Sequence, residues 1–286
     1  MTSPYKDSNQ SSILQSEQVK MWSSRSSAII LCLFAVALPV FLEASADHKK
    51  EKRYVECKGD NCPKSKTVEL NPFRPKSCIE YYIPGKTTCG IYRLYDHYGY
   101  SYPVYCDFTS EPGTAWTLVM SYSQKFRGLS QFTKTPFKFD APVNENAQNW
   151  NVYRLSLRRI KSLAAHSTHW RATCSYPSHG VDFTDYVRGN FRDFNIIDFL
   201  GSGKCKKVEY VNIRGHFGVH TTAKFWQVAG ALSLHIDSSA AGCDFNPTAG
   251  ALVSEDNFGF YAVTNHKFRC TGGEGSTTQW WFGSHL

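Results

Sequence analysis

The chain has 286 residues, of which 42% are apolar and 15% aromatic, enough to build a sizeable core. Its formal charge is +8, from 32 Lys and Arg against 24 Asp and Glu, and the basic residues are not concentrated in one tract or on one helical face. The composition excludes a disordered chain, and the lack of a recognised nucleic-acid motif argues against nucleic acid as a partner.

The first predicted element is a targeting segment. Residues 28–42 (AIILCLFAVALPVFL) are uncharged, follow Arg25 and precede the small-x-small cleavage pattern of residues 44–46, so residues 1–46 are predicted to be a signal peptide. The alternative is an uncleaved signal anchor, although fifteen residues fall short of the roughly 20 that span a bilayer as a helix. Either way the rest of the chain is expected outside the cell, and it is membrane-bound only if the segment is uncleaved.

Residues 47–77 are predicted to be a stalk or linker, because they are charged, contain three prolines and show no sustained apolar period. They include Cys57-Lys58-Gly59-Asp60-Asn61-Cys62, which is similar to the Lys-Gly-Asp sequence of some integrin ligands. If the two cysteines pair, the loop would present Lys58 and Asp60 as ligand residues. A chance match in a charged linker is the alternative.

The predicted globular domain covers residues 78–286, with no internal repeat. Residues 101–108 and 115–121 are rich in aromatic and β-branched side chains and are separated by the turn sequence Glu-Pro-Gly at 111–113, which predicts a hairpin. Residues 207–214 and 231–236 predict further strands.

The clearest predicted helix covers residues 153–164. Leu155, Leu157, Ile160 and Leu163 recur near one face of such a helix, with the basic residues elsewhere. Together with the predicted strands, this gives an α+β fold with an antiparallel sheet and few helices.

Ten cysteines bear on the compartment. Cys32 lies in the apolar segment, and the other nine would mature under oxidising conditions, where thiols pair. Since nine is odd, one thiol is expected to stay free or to bond to a second chain, and a disulfide-linked homodimer is one such arrangement. Spacing alone does not determine the connectivity.

Three motifs near the start of the domain carry a family resemblance. After Cys78 come GIYRL at residues 90–94, YPVYCDF at 102–108 and WTLV at 116–119. This order resembles the fibrinogen-related domain family, whose members open with a cysteine, a short G-x-Y strand, a YPVYCDM-like strand and a tryptophan-threonine-leucine strand. The resemblance implies a single disulfide-bonded fibrinogen C-terminal-like domain in which Cys78 pairs with Cys106.

The carboxyl half, from residue 149 to 259, resembles a divergent cnidarian branch of this family that includes skeletal organic matrix proteins of stony corals. That resemblance implies a non-enzymatic protein of the extracellular matrix, associated with biomineralisation, whose partners are matrix macromolecules or glycans. Two alternatives stay open: a calcium-assisted, lectin-like recognition protein and a membrane-anchored adhesion protein.

The other disulfide pairings are hypotheses, since spacing alone does not determine them. They join Cys174 to Cys205, Cys243 to Cys270 and Cys57 to Cys62. Cys89 is then unmatched, at a position where the family usually has a small residue, so a free or interchain thiol is predicted there.

Calcium is the one cofactor that the sequence suggests. The calcium loop of the family is not matched residue by residue, and Asp237, Glu255 and Asp256 are the nearest grouped oxygen donors. Solvated turn residues are the alternative explanation for this acidic group.

The last aromatic cluster suggests a ligand surface. Trp280 and Trp281 could bind the apolar face of a sugar, although core packing is the alternative. The sequence contains neither a G-x-S-x-G nucleophile elbow nor an HExxH metal motif, so no catalytic residues are predicted and the chain is not expected to be an enzyme.

Overall fold

The computed structural model describes residues 73–85 and 87–286. The signal segment, most of the stalk and the loop with Cys57, Lys58, Asp60 and Cys62 lie outside the described residues, so the predictions for them stay predictions. Within residues 73–77, Pro75 and Ser77 are buried against the domain, and Pro75 O accepts a hydrogen bond from Tyr95 N.

The described residues form one sheet in which every pair of neighbouring strands is antiparallel. Its strands are β1 (Gly90–Tyr95), β2 (Ser101–Asp107), β3 (Thr114–Ser123), β4 (Val152–Arg154), β5 (His169–Cys174), β6 (Tyr186–Asn190), β7 (Gly201–Ile213), β8 (His216–Val228), β9 (Leu232–Asp237), β10 (Asp256–Asn257) and β11 (Thr277–His285). Their order is β1-β2-β3-β11-β5-β6-β7-β8-β9-β10, and β4 also pairs with β3. The predicted β2–β3 hairpin and the strands predicted at residues 207–214 and 231–236 are confirmed.

The last strand lies in the middle of the sheet. Trp280 of β11 is opposite Met120 of β3 on one side and Ala172 of β5 on the other. Eight of the nine residues of β11 are buried, because strands cover both of its edges and side chains cover both of its faces. This position accounts for the run Trp280-Trp281-Phe282, all fully buried.

Helices are few and short. Those of the described residues are α1 (Ser130–Thr133), α2 (Leu157–Ala164) and α3 (Tyr176–His179), with 3₁₀ turns at Cys78–Tyr81, Gln124–Phe126 and Arg269–Thr271. The α+β class with a mostly antiparallel sheet is therefore confirmed.

The predicted helix over residues 153–164 starts too early. Val152, Tyr153 and Arg154 pair with β3 instead, with Met120 opposite Arg154. The apolar period that predicted the helix continues through α2, where Ile160 and Leu163 are fully buried. Strand pairing with β3 thus prevents the first turn of the predicted helix from forming, although the apolar residues there follow a helical period.

Three disulfide bonds lie within the described residues, and one of them, Cys78–Cys106, has the predicted pairing. The predicted bonds Cys174–Cys205 and Cys243–Cys270 are wrong, because the structure joins Cys174 to Cys270 and Cys205 to Cys243.

The topology explains both corrections. β11 pairs with β5, so the turn before β11 brings Cys270 next to Cys174 at the end of β5. The loop after β9 folds back over β8, where Phe245 N donates to Thr222 O, and this places Cys243 over Cys205 of the neighbouring strand β7. Cys89 is also disulfide-bonded, so the prediction of a free thiol there is wrong.

No helix among the described residues is long and apolar enough to cross a membrane.

Candidate functional site

A surface cleft of about 560 Å³ lies between the β1–β2 turn and the start of α2, and we call it the tyrosine cleft. It is lined by His97, Tyr98, Asp140, Pro142, Glu145, Ser156, Leu157, Arg158 and Lys161.

The β1–β2 turn presents two tyrosine rings to solvent. Asp96 is fully buried, and its Oδ1 accepts hydrogen bonds from Tyr98 N at 3.0 Å and Tyr100 N at 2.9 Å. Gly99 between the tyrosines has a φ of +85°, a backbone conformation that glycine adopts without strain. The turn is therefore held from below by a carboxylate, while Tyr98 and Tyr100 stay 66% and 62% exposed.

Arg158 of α2 fixes the tyrosines from the opposite wall. Its Nε lies 3.1 Å from Asp96 Oδ2, and its guanidinium carbon lies 5.9 Å from the centroid of the Tyr98 ring and 5.3 Å from that of Tyr100. The His97 ring packs against Tyr98 in a tilted arrangement, with 3.7 Å between ring centroids. Because one buried carboxylate holds both the turn and the arginine, the aromatic platform is preorganised.

The start of α2 brings two carboxylates to the cleft. Asp140 Oδ1 accepts a hydrogen bond from Leu157 N at 2.6 Å, and Glu145 Oε2 accepts one from Ser156 N at 2.9 Å. Glu145 also pairs with Arg159 at 3.1 Å. Acidic side chains at a helix amino terminus satisfy its free amides and complement its dipole. These bonds hold the two carboxylates in the cleft wall.

The floor of the cleft contains unused hydrogen-bonding capacity. Ser156 is 8% exposed, makes no capping bond to α2, and its Oγ has no hydrogen-bond partner among the residues that the structure describes. Behind the cleft, and not among its lining residues, Arg159 Nε and the hydroxyls of Tyr102 and Tyr153 are likewise buried without such a partner. Buried polar atoms are normally bonded to protein, water or a ligand, so Ser156 Oγ is the lining atom that can bond to a polar group of a ligand.

These hydroxyls are neutral. Burial is the main cause that raises the pKa of Tyr102 and of Tyr153 far above the usual tyrosine range, and it outweighs the opposing effect of the Arg159 guanidinium. Arg159 lies over the Tyr102 ring, 4.5 Å from its centroid. The region behind the cleft thus combines uncharged hydroxyls with one guanidinium that Glu145 balances.

The structure does not place the predicted ligand tryptophans at the surface, so that prediction is wrong. Trp280 and Trp281 are fully buried, and their indole N–H groups donate to Phe258 O and Thr173 Oγ1. The Trp281 ring also contacts the guanidinium of Arg171, at 4.9 Å from the ring centroid. Both tryptophans pack the core beside the central strand.

The predicted calcium ligands do not converge. Glu255 is fully buried and bonds to Arg214 and Asn265, while Asp237 Oδ1 accepts hydrogen bonds from the amide and hydroxyl of Ser239. In the part of the chain that the structure describes, no three His, Cys, Asp or Glu side chains are arranged to hold a metal ion.

Asp256, the third predicted calcium ligand, faces a histidine instead. Its Oδ1 lies 3.4 Å from His235 Nε2, and its Oδ2 accepts a hydrogen bond from Ala262 N. Burial raises the pKa of Asp256 to about 7 and lowers that of His235 to about 4. Both carboxylate oxygens of Asp256 are therefore engaged within the protein.

A buried ion-pair network connects strands in the central part of the sheet. Arg171 donates to Asp107 Oδ2 at 2.5 Å and to Glu111 Oε1 at 2.8 Å, and Arg188 donates to the other oxygen of Glu111 at 2.6 Å. The Arg171 guanidinium also stacks on Trp116, 4.5 Å from the ring centroid. Since Arg171 and Asp107 are fully buried, we assign the network to the architecture and not to a ligand site.

Sequence reasoning missed the tyrosine cleft. A usable signal was present in Asp96-His97-Tyr98-Gly99-Tyr100, where a turn sequence carries aromatic residues that no strand or helix period buries. Asp140 and Glu145 had no such signal, because they belong to a long irregular segment whose path depends on tertiary contacts.

No family model matches the chain, and no curated protein matches it significantly.

Proposed function

We propose that this chain is a secreted, non-enzymatic binding protein of the extracellular matrix that recognises carbohydrate through the tyrosine cleft. The observation that carries the proposal is the exposed Tyr98–Tyr100 platform, held by Asp96 and Arg158 next to the hydrogen-bonding groups of the cleft. The fibrinogen-related identity of the domain and its place in a skeletal organic matrix belong to the same proposal, and the motif order and the Cys78–Cys106 bond support them.

The chemistry of the cleft suits a sugar. Aromatic faces bind the apolar faces of sugar rings, and both tyrosine rings are more than half exposed. A sugar hydroxyl both donates and accepts, so it can bond to the carboxylate oxygens of Asp140 and Glu145 and to the free hydroxyl of Ser156. A few convergent polar groups beside apolar surface are typical of small-ligand sites.

A glycan array of the purified, disulfide-intact protein tests the proposal. The wild-type protein is expected to bind a defined group of glycans. Tyr98→Ala and Tyr100→Ala are each expected to lose about fivefold in affinity, since stacking contributes on the order of 1 kcal/mol. Ser156→Ala should weaken binding less. Phe217→Ala is the matched control, because Phe217 is a ring of similar exposure, at 54%, outside the cleft.

Three results would contradict this function: no bound glycan, equal losses for Phe217→Ala and the tyrosine variants, or turnover of a bound glycan. Circular dichroism of each variant checks that it is folded. An added chelator tests the calcium-assisted lectin alternative, for which binding must disappear and return with calcium.

A further inference from the structure

We infer that the Cys205–Cys243 disulfide is a thiol–disulfide exchange site, which a dithiol reductant opens while the sheet stays folded. Opening the bond loosens the segment 240–244, which the disulfide holds against β7 and β8. The inference goes beyond the proposed function, because no residue of this segment lines the tyrosine cleft.

The three disulfides within the described residues differ in their access to solvent. Cys205 is exposed and Cys243 is half-buried. The four cysteines of the other two bonds are at most 2% exposed: Cys78, Cys106, Cys174 and Cys270. Because a thiolate must reach a sulfur atom in order to attack it, Cys205–Cys243 is the one of these three bonds that is open to a reductant in the folded protein.

The segment 240–244 is attached at both of its ends without the disulfide. Before the segment, Asp237 Oδ1 accepts hydrogen bonds from the amide and the hydroxyl of Ser239. After it, Phe245 is buried, and its N donates to Thr222 O at 2.9 Å. These contacts should keep the rest of the loop on the sheet when the disulfide opens.

The hydrogen bonds that join the segment itself to β8 are exposed. Asp244 N donates to Thr222 Oγ1 at 3.1 Å, Thr222 Oγ1 donates to Asp244 Oδ2 at 2.7 Å, and Lys224 Nζ donates to Ala241 O at 2.7 Å. Water competes for such groups, so each bond contributes little to stability. Opening the disulfide should therefore increase the motion of residues 240–244 and leave the strands in place.

Positive charge beside the bond favours the exchange. Lys224 is opposite Cys205, and Lys207 is two residues further along β7, so both lysines are on the face of the sheet that carries the disulfide. They outnumber the one carboxylate of the segment. Lys224 Nζ lies 3.6 Å from the position that a Cβ on Gly242 would occupy, next to Cys243. A cation there stabilises the Cys243 thiolate that leaves when a reductant attacks the Cys205 sulfur.

The exchange takes place in two balanced steps. A thiolate of the reductant attacks the Cys205 sulfur, the bond between the two sulfur atoms breaks, and its electron pair leaves with the Cys243 sulfur, which takes up a proton. The second thiol of the reductant then loses its proton and attacks the reductant's own sulfur in the mixed disulfide, which releases Cys205 as a thiol. The protein disulfide is reduced to two thiols, and the dithiol is oxidised to a disulfide.

The test treats the full secreted protein with dithiothreitol at neutral pH without denaturant. Samples taken over time are quenched with iodoacetamide, and mass spectrometry of peptides identifies the labelled cysteines. We expect Cys205 and Cys243 to be labelled at least tenfold faster than the four cysteines of the two buried bonds. Labelling of all six at similar rates would overturn the inference.

A charge variant tests the part played by Lys224. Lys224→Gln keeps a donor for Ala241 O but removes the cation, and it should slow the labelling of Cys205 and Cys243 about threefold. The matched control is Lys204→Gln, which removes an exposed lysine next to Cys205 in sequence but on the opposite face of β7. Equal rates for the two variants would overturn the role of Lys224.

Hydrogen exchange tests whether the opening is local. In the reduced protein, amides of residues 240–246 should exchange at least fivefold faster, while those of the central strand β11 exchange as before. Cys205→Ser/Cys243→Ser, which cannot form the bond, should reproduce this pattern without reductant. Faster exchange along β11 would show that reduction requires unfolding, and unchanged exchange at residues 240–246 would show that the disulfide does not hold the segment; either result would overturn the inference.

Discussion

His235 and Asp256 form a buried pair whose protons can be assigned from its hydrogen bonds. His235 Nδ1 lies 2.8 Å from Ser233 O, and because a carbonyl oxygen only accepts, Nδ1 carries the proton. Nε2 is then an acceptor that faces Asp256 Oδ1 at 3.4 Å, where a protonated carboxyl group can donate. Burial, which lowers the pKa of His235 to about 4 and raises that of Asp256 to about 7, favours this neutral pair between those values.

The pair predicts opposing effects on stability as pH rises. Asp256 keeps its proton up to about pH 7 in the folded state but only up to about pH 3.9 in the unfolded state. The stabilisation that Asp256 contributes is therefore lost between about pH 4 and 7. His235 binds a proton below about pH 6.5 in the unfolded state but only below about pH 4 in the folded state. The free energy of unfolding therefore rises through the His235 effect between about pH 4 and 6.5. The two slopes nearly cancel in the wild type.

Single substitutions should separate these slopes. Relative to the wild type, His235→Gln should lose stability as pH rises from 4 to 6.5, and Asp256→Asn should gain it, each by up to about 1.4 kcal/mol per pH unit. Urea unfolding at half-unit pH steps measures both. Parallel pH profiles for all three proteins would show that the pair is not proton-linked to folding.

Removing the charge of Arg171 is expected to lower the free energy of unfolding strongly. Asp107 is fully buried, and Glu111 is 4% exposed. Burial alone would raise the pKa of Glu111, but the guanidinium groups of Arg171 and Arg188 reverse that effect and lower it. Arg171→Met leaves both carboxylates short of a partner and should cost about 3–5 kcal/mol in urea unfolding. Arg192→Met, at a side chain that is 89% exposed, should change little; similar losses for both would contradict the role of burial.

At the scale of the element, the central strand β11 is packed so closely against β3 that one added methyl group is expected to destabilise the domain. A Cβ on Gly283 would lie 2.5 Å from Trp116 Cε3 and 2.6 Å from Ala115 O, so the strand or the ring must move. Gly283→Ala should therefore destabilise the domain by about 1–3 kcal/mol. The control is Gly273→Ala, where an added Cβ meets no atom within 4 Å. A thermal unfolding midpoint unchanged in Gly283→Ala would contradict the tight approach of β3 and β11.

The elements that sequence reasoning placed correctly have local signals. Residues 101–108 and 115–121 combine β-branched and aromatic side chains with a turn, and both form strands of the predicted hairpin. The start of α2 was misplaced because Tyr153 and Arg154 pair with β3, a contact across more than thirty residues that no period reports.

The errors at the disulfides and tryptophans have one cause. The carboxyl-terminal strand inserts between β3 and β5, and this long-range pairing sets both the Cys174–Cys270 bond and the burial of Trp280 and Trp281. Sequence spacing left the connectivity of these cysteines open. The tyrosine cleft was missed for a similar reason, since its two walls come from segments about forty to sixty residues apart.

For the whole molecule, the cysteines and the targeting segment make one prediction together. Three disulfides within the described residues, one of them closing a separation of 96 residues, need an oxidising compartment to form and persist. Residues 28–46 supply the apolar stretch and cleavage pattern that would deliver the chain there. Expression of the full chain in secretory cells should therefore release a protein that begins at Asp47. The measurement is amino-terminal sequencing and intact mass of the protein from the medium and from the membrane fraction, with and without reduction. A carbonate-resistant membrane protein with an intact amino terminus would establish the anchored alternative. A mass halved by reduction would identify the homodimer.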